Sequence, residues 1–174
     1  FPGQYLHLAQ RLAKNPRHQV VFLTQRQEGI FPRVDKRVYA PSRGITPQIH
    51  HYLRDHEAHV LNAQAVLRQA LSLKKAGFVP DIMLGHNGWG EIWYLKEAFP
   101  NTPLIGYFEF FYLLDEPDAR FSALKNVSVD TRPRLRTKNA GNLVGLHAAD
   151  FGQTPTKWQH STYPLIYQSK IKVL

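Results

Sequence analysis

The densest chemistry in this 174-residue chain lies in seven consecutive residues, Gly85-His86-Asn87-Gly88-Trp89-Gly90-Glu91. An imidazole and a carboxylate there can hold or move protons, and Trp89 offers a flat face to a sugar ring. Gly85, Gly88 and Gly90 let the backbone approach a ligand and take up positive φ. A helix expected to open at Gly90 would offer free N–H groups able to hold an anion. The competing reading is a glycine-rich turn whose tryptophan is buried and anchors that helix. A second stretch, Gly106-Tyr107-Phe108-Glu109-Phe110-Phe111-Tyr112, sets one carboxylate among aromatic rings. Burying a carboxylate is costly unless it is paired or hydrogen-bonded. Glu109 is therefore either a site residue or the partner of a core Arg or Lys, and the rings around it belong to the core.

Two further clusters carry weaker signals. Arg132, Arg134, Arg136 and Lys138 alternate along a basic stretch. It reads as a nucleic-acid contact, as the lining of a phosphate cleft, or as a solvated surface. No base-stacking aromatic residues interleave it, which weakens the first reading. His50, His51, His56 and His59 invite a metal, since i, i+3 positions share a helix face. No HExxH or comparable ligand pattern completes the set, so an exposed polar helix face is preferred. The sequence also lacks GxxxxGK[ST], GxGxxG and GxSxG, which argues against three common enzyme classes.

Composition bounds the rest. The length suits one domain, and 43% hydrophobic with 12% aromatic residues is that of a globular protein. Without cysteine there is neither a disulfide nor a thiolate metal site. No apolar run approaches the roughly 20 residues that span a bilayer. A net charge of +9 would draw nucleic acid, anionic lipid or phosphorylated small molecules alike.

The elements that must position these residues alternate. A helical face over Tyr5–Asn15 stops at Pro16, and Val20–Leu23 reads as a strand buried on both faces. Val34–Tyr39 is a second short strand. Ile49–Ala76 is a long helix with Leu53, Val60, Leu67 and Leu71 on one face, ended by Gly77. Strands follow over Pro80–His86 and Pro103–Phe108, with a helix over Gly90–Phe99 between them. A helix over Thr137–Ala148, a strand at Asp150–Thr154, a short helix at Thr156–Tyr163 and a strand at Lys170–Leu174 complete the pass. Such alternation predicts a three-layer α/β domain with a mostly parallel sheet. Ligands then bind at the carboxyl ends of the strands, in the loops after Leu23, Leu84 and Tyr107.

In this order the segments resemble the N-terminal domain of bacterial family 4 (group 1) glycosyltransferases. The resemblance rests on Phe1–Gln4, Val20–Thr24, Gly77–Asp81, Gly85–Glu91, Leu104–Phe110, Lys138–Ala140, Pro155–Gln159 and Lys170–Val173. It implies one Rossmann-like half of a GT-B enzyme, occupying residues 1–174, acceptor-side, without its first strand and without the C-terminal donor-binding domain. Such enzymes are usually retaining and metal-independent, require no cofactor, and move a hexose from a nucleotide-sugar held mainly by the C-terminal domain. The acceptor would be a saccharide or a lipid-linked glycan.

By position, the resemblance makes His86 the catalytic histidine that contacts the transferred sugar. It lines the same pocket with Asn87, Gly88, Trp89 and Glu91, faces it with Glu109, and sets Gly3 and Gln4 in a loop near donor phosphates or acceptor. Lys138 stands where an arginine is expected, keeping charge but losing a bidentate fork. These implications describe a cytoplasmic enzyme that binds no nucleic acid and is silent as this fragment alone, and the net charge by itself adds a peripheral contact with anionic membrane. The readings left beside it are a non-catalytic nucleotide or nucleic-acid binding module and an epimerase of GT-B type.

Overall fold

The structure is a computed structural model that describes residues 3–29, 32–113 and 128–174. The chain forms two compact units, Phe1–Ser42 and Arg43–Leu174. In the first, α1 (Leu6–Ala13) buries Ala9 and Ala13. It stops at Asn15-Pro16, where the Asn15 side chain accepts from the Arg17 N–H at 3.0 Å. Strands β1 (Val20–Thr24) and β2 (Val34–Val38) pair in parallel, Val20 opposite Val34. The expectation that Val20–Leu23 is buried on both faces is not met. These residues are half-exposed and only Thr24 of the strand is buried, as befits a sheet of two strands.

The second unit is built on a parallel four-stranded sheet in the order β3 (Met83–His86), β4 (Leu104–Tyr107), β5 (Phe151–Thr154), β6 (Ile171–Val173). Helices α2 (Arg54–Lys75), α3 (Leu95–Ala98), α4 (Thr131–Ala148), α5 (Lys157–Thr162) and α6 (Leu165–Gln168) flank it in a Rossmann-like arrangement. Helix α2 ends as its sequence demands. Gly77 takes φ +85, its N–H reaches the Lys74 carbonyl, and the Phe78 N–H reaches that of Leu73, both at 3.0 Å. The expected stripe of α2 is met at Val60 and Leu67, which pack against the core beside buried Ala63, Val66, Ala70 and Leu73, but not at Leu53 and Leu71, which are exposed.

Three glycines stand in one row across the sheet, Gly85 opposite Gly106 and Gly106 opposite Gly152. A Cβ at Gly106 would meet the Phe108 ring at 2.5 Å, and one at Gly152 would meet Ile171 at 2.9 Å. At Gly85 it would overlap Ile92. The bare row therefore lets Ile92 and Phe108, both almost wholly buried, lie directly on the strands. At the opposite edge, Asp150 accepts from the Leu104 N–H and from Lys96 Nζ, both at 2.8 Å. The carboxylate thus ties the start of β4 to α3.

The loop before α2 is pinned by Glu57. Its carboxylate accepts from the Thr46 N–H at 2.8 Å, the Thr46 hydroxyl at 2.7 Å and Arg43 Nη2 at 2.7 Å. These bonds, Thr46 first and Arg43 next, hold the carboxyl down at about 2. A depressed folded value means that the carboxylate's contribution is complete above the ordinary value of 4.5 and is lost as pH falls through about 2. Glu57→Gln is expected to flatten the acid dependence of unfolding across that window. Equal slopes for the two proteins in denaturant titrations at several acid pH values would show that Glu57 carries no such linkage.

Candidate active site

Strand β3 ends at His86 and β4 at Tyr107, and the two residues are register partners. Parallel pairing thus brings both side chains to the carboxyl edge of the sheet, where their rings lie 5.3 Å apart and tilted by 36°. The chain turns at once into a single 3-10 turn, Asn87–Trp89, closed by Gly90 at φ +78 with its N–H on the Asn87 carbonyl. Gly90 is doubly constrained, because a Cβ there would strike the His59 carbonyl of α2 at 2.5 Å. Asn62 of α2 donates to the Trp89 carbonyl at 3.0 Å and secures the far side of the turn.

Inside this turn the Gly88 N–H donates to His86 Nδ1 at 2.8 Å. A Cβ on Gly88 would meet the imidazole at 2.6 Å, so glycine is what lets the ring lie over the backbone. With Nδ1 accepting, the neutral ring carries its proton on Nε2. That atom faces Glu109 Oε2 at 3.5 Å. Burial pushes the His86 imidazole below its ordinary value, while the Glu109 carboxylate pulls it part of the way back. Protonating Nδ1 would also forfeit the Gly88 bond, which acts in the same direction as burial. The ring is therefore neutral at pH 7 with a fixed tautomer. Tyr107 is pushed upward, first by burial and then by Glu109.

Trp89 is 62% exposed, with its ring 6.5 Å from that of His86. A buried anchoring tryptophan is thus excluded at position 89. Trp93 takes that part, 5% exposed between α2 and the turn, with His56 and His59 against its ring at 5.3 and 5.4 Å. Those two histidines are half-buried rather than an exposed polar face. Burial pushes His59 below its ordinary value. Among the described residues no group of three or more His, Cys, Asp or Glu could hold a metal ion.

The expected site residues divide into two groups. His86, Gly88, Trp89 and Glu109 come together, and Glu109 has His86 as a partner. Asn87 departs from the expectation that it lines the pocket. It is 3% exposed, accepts from Trp93 Nε1 at 3.0 Å and donates to Asn142 Oδ1 at 3.0 Å. Glu91 lies half-buried in the turn after Gly90. Gly3, at φ +56, and Gln4 belong to the first unit, in the 3-10 turn that leads into α1. Phe1 and Pro2 lie outside the described residues.

Two other expectations are corrected. No helix begins at Gly90, whose N–H is already bonded to Asn87, so no free helix terminus awaits an anion there. Helix α3 spans only Leu95–Ala98. The basic stretch is not a loop before a helix but lies within α4, with Arg132, Arg134 and Arg136 exposed. Lys138 Nζ sits 4.1 Å above the Tyr112 ring. Tyr107, Asn62 and Asn142 also belong to the site's support and were not anticipated. Asn142 follows Asn139 by about one helical turn, which puts both amides on one face of α4.

The Rossmann-like parallel sheet is the arrangement of one half of a GT-B fold. Residues 16–174 match the model of the family described as Glycosyl transferase family 4 group, and the chain belongs to that family. No curated protein matches it. Among the described residues no helix is long and apolar enough to cross a membrane.

Proposed function

We propose that this chain is the N-terminal, acceptor-side domain of a bacterial cytoplasmic hexosyltransferase that moves a sugar from a nucleotide-sugar to a saccharide or lipid-linked acceptor. The observation that carries this reading is the neutral His86, its Nε2 proton directed at Glu109, beside the exposed ring of Trp89. A hexose resting on the indole would meet a donor in His86 Nε2–H and an acceptor in the Glu109 carboxylate. Sugar hydroxyls require that complement of partners. A neutral imidazole donates without placing a full charge beside a bond that develops positive character at carbon as it breaks. Transfer breaks the bond from the anomeric carbon to the donor phosphate and forms one to an acceptor hydroxyl, whose proton must leave. The retaining outcome, metal independence, and a companion C-terminal domain for most of the donor follow from family resemblance.

The test is a titration of the isotope-labelled chain with simple hexoses and with nucleotide-sugars. The Trp89 indole and His86 ring signals are expected to move with hexose, the His86 signal to stay still in Trp89→Ala and the Trp89 signal to stay still in His86→Asn. If neither signal responds to any hexose or nucleotide-sugar, this surface is not a sugar site.

A further inference from the structure

The two segments that carry His86 and Glu109 are not bonded to each other only through the sheet. A run of buried carboxamides joins them through α4. Trp93 Nε1 donates to Asn87 Oδ1 at 3.0 Å, and Asn87 Nδ2 donates to Asn142 Oδ1 at 3.0 Å. Asn142 Nδ2 then donates to the Phe110 carbonyl at 2.7 Å. Asn87 adjoins His86 and Phe110 adjoins Glu109, so one side chain grips the neighbour of each member of the pair. Asn139, one turn earlier, fastens the same loop by accepting from the Tyr112 N–H and donating to its carbonyl, both at 2.8 Å. All three amides are at least nine-tenths buried. Their bonds cannot be traded for water without exposing the core.

We infer that Asn142 is a positioning residue whose amide bonds to Asn87 and Phe110 set the spacing between His86 and Glu109. The inference rests on the sugar-transfer reading only in treating that pair as the working groups. An amide is required at 142, because one end must accept from Asn87 while the other donates to Phe110. Leucine could fill the volume but neither role. Aspartate could accept from Asn87, yet would set an anionic oxygen against the Phe110 carbonyl.

The spacing is read out by the titration of the His86 ring, followed by NMR on the whole chain. Glu109 Oε2 lies 3.5 Å from His86 Nε2, and the Tyr107 ring lies 5.3 Å from the imidazole. Glu109→Gln removes a negative charge that favours the protonated ring and is expected to lower the His86 midpoint. Asn142→Ala, by releasing the Phe110 carbonyl, is expected to lower it part of the way. In a Glu109→Gln background, Asn142→Ala is expected to add nothing.

Such non-additivity separates positioning from a general loss of stability, which would leave the His86 midpoint in place in both backgrounds. An unchanged midpoint in Asn142→Ala, a rise, or equal shifts in the two backgrounds would each overturn the inference. If Asn142→Ala does not fold, the unaltered protein still decides. The side-chain amide signals of Asn142 are expected to shift with the same pH midpoint as His86, and amide signals that ignore that midpoint would refute the coupling. Because titration rather than transfer is measured, failure here leaves the sugar-site reading standing, and a silent hexose titration leaves this coupling intact.

Discussion

His86→Asn in the full-length enzyme is expected to lower kcat for sugar transfer by roughly two to three orders of magnitude, the usual loss when one preorganised donor is removed from a transfer site. The asparagine variant is more informative than alanine because of the turn. In the native chain the Gly88 N–H is satisfied by His86 Nδ1, two residues before it. An asparagine carboxamide oxygen at position 86 can accept the same bond in an Asx-turn. The backbone from Asn87 to Gly90 is thereby kept, while the Nε2–H that faces Glu109 at 3.5 Å is withdrawn.

Folding should be little affected, since the lost contacts are chiefly the ring faces against Tyr107 and Trp89. Denaturation midpoints close to native, together with the loss in kcat, would assign the effect to the missing donor. Near-native turnover in a folded His86→Asn enzyme would remove His86 from the chemistry. The pH profile adds a sign. Burial holds the native imidazole below its ordinary value, so activity that needs the neutral ring should persist into mildly acidic solution and fall only beneath that ordinary value. In Glu109→Gln, where the charge that favours protonation is gone, the acid limb should move to still lower pH.

The parts of this site that could be read from sequence are those whose cause is local. Met83–His86 and Leu104–Tyr107 are short apolar runs introduced by Pro80 and Pro103, and both are strands of one parallel sheet. Glu109 stood out because a carboxylate among aromatic rings needs a partner, and His86 because it sits in a glycine-rich loop at the carboxyl end of a strand. Each turned out to be near the other. What escaped was set by distant contacts. The three loop glycines suggested ligand approach, yet Gly88 makes room for the His86 ring and Gly90 for the backbone of α2.

Helix α2 faces the core with Val60 and Leu67 as expected, but close packing also drew in the small Ala63 and Ala70, which the leucine spacing did not mark, and left Leu71 exposed. Helix α4 begins at Thr131 rather than Thr137 because Pro133 falls in its first turn, where a missing N–H costs no hydrogen bond. The pairing of Asn87 with Asn142 spans 55 residues. Nothing in either residue's neighbours announces it.

Gly145→Ala is expected to destabilise the protein by about 2–8 kcal/mol, although the same change in an exposed helix would stabilise it by about 1 kcal/mol. Gly145 lies inside α4, where alanine is the better helix former, and its glycine is explained by what faces it. A Cβ at that position would overlap the Asn87 carboxamide. Asn87 cannot yield cheaply, for its oxygen satisfies the buried Trp93 N–H and its amide satisfies Asn142. Moving it strands two buried polar groups at about 1–3 kcal/mol each, and overpacking adds a further cost of similar size. Against a total stability of about 5–15 kcal/mol, that is a loss visible in any denaturant titration.

The mechanism has a sharper consequence than the loss itself. Asn87→Ala pays for the stranded Trp93 and Asn142 groups but removes the side chain that the new methyl would strike. Adding Gly145→Ala to Asn87→Ala should then cost little or even recover some helix propensity, so the double variant should be far more stable than the sum of the singles predicts. Additive losses in the double variant, or a native-like midpoint in Gly145→Ala alone, would mean that the Asn87 carboxamide does not occupy the space opposite Gly145.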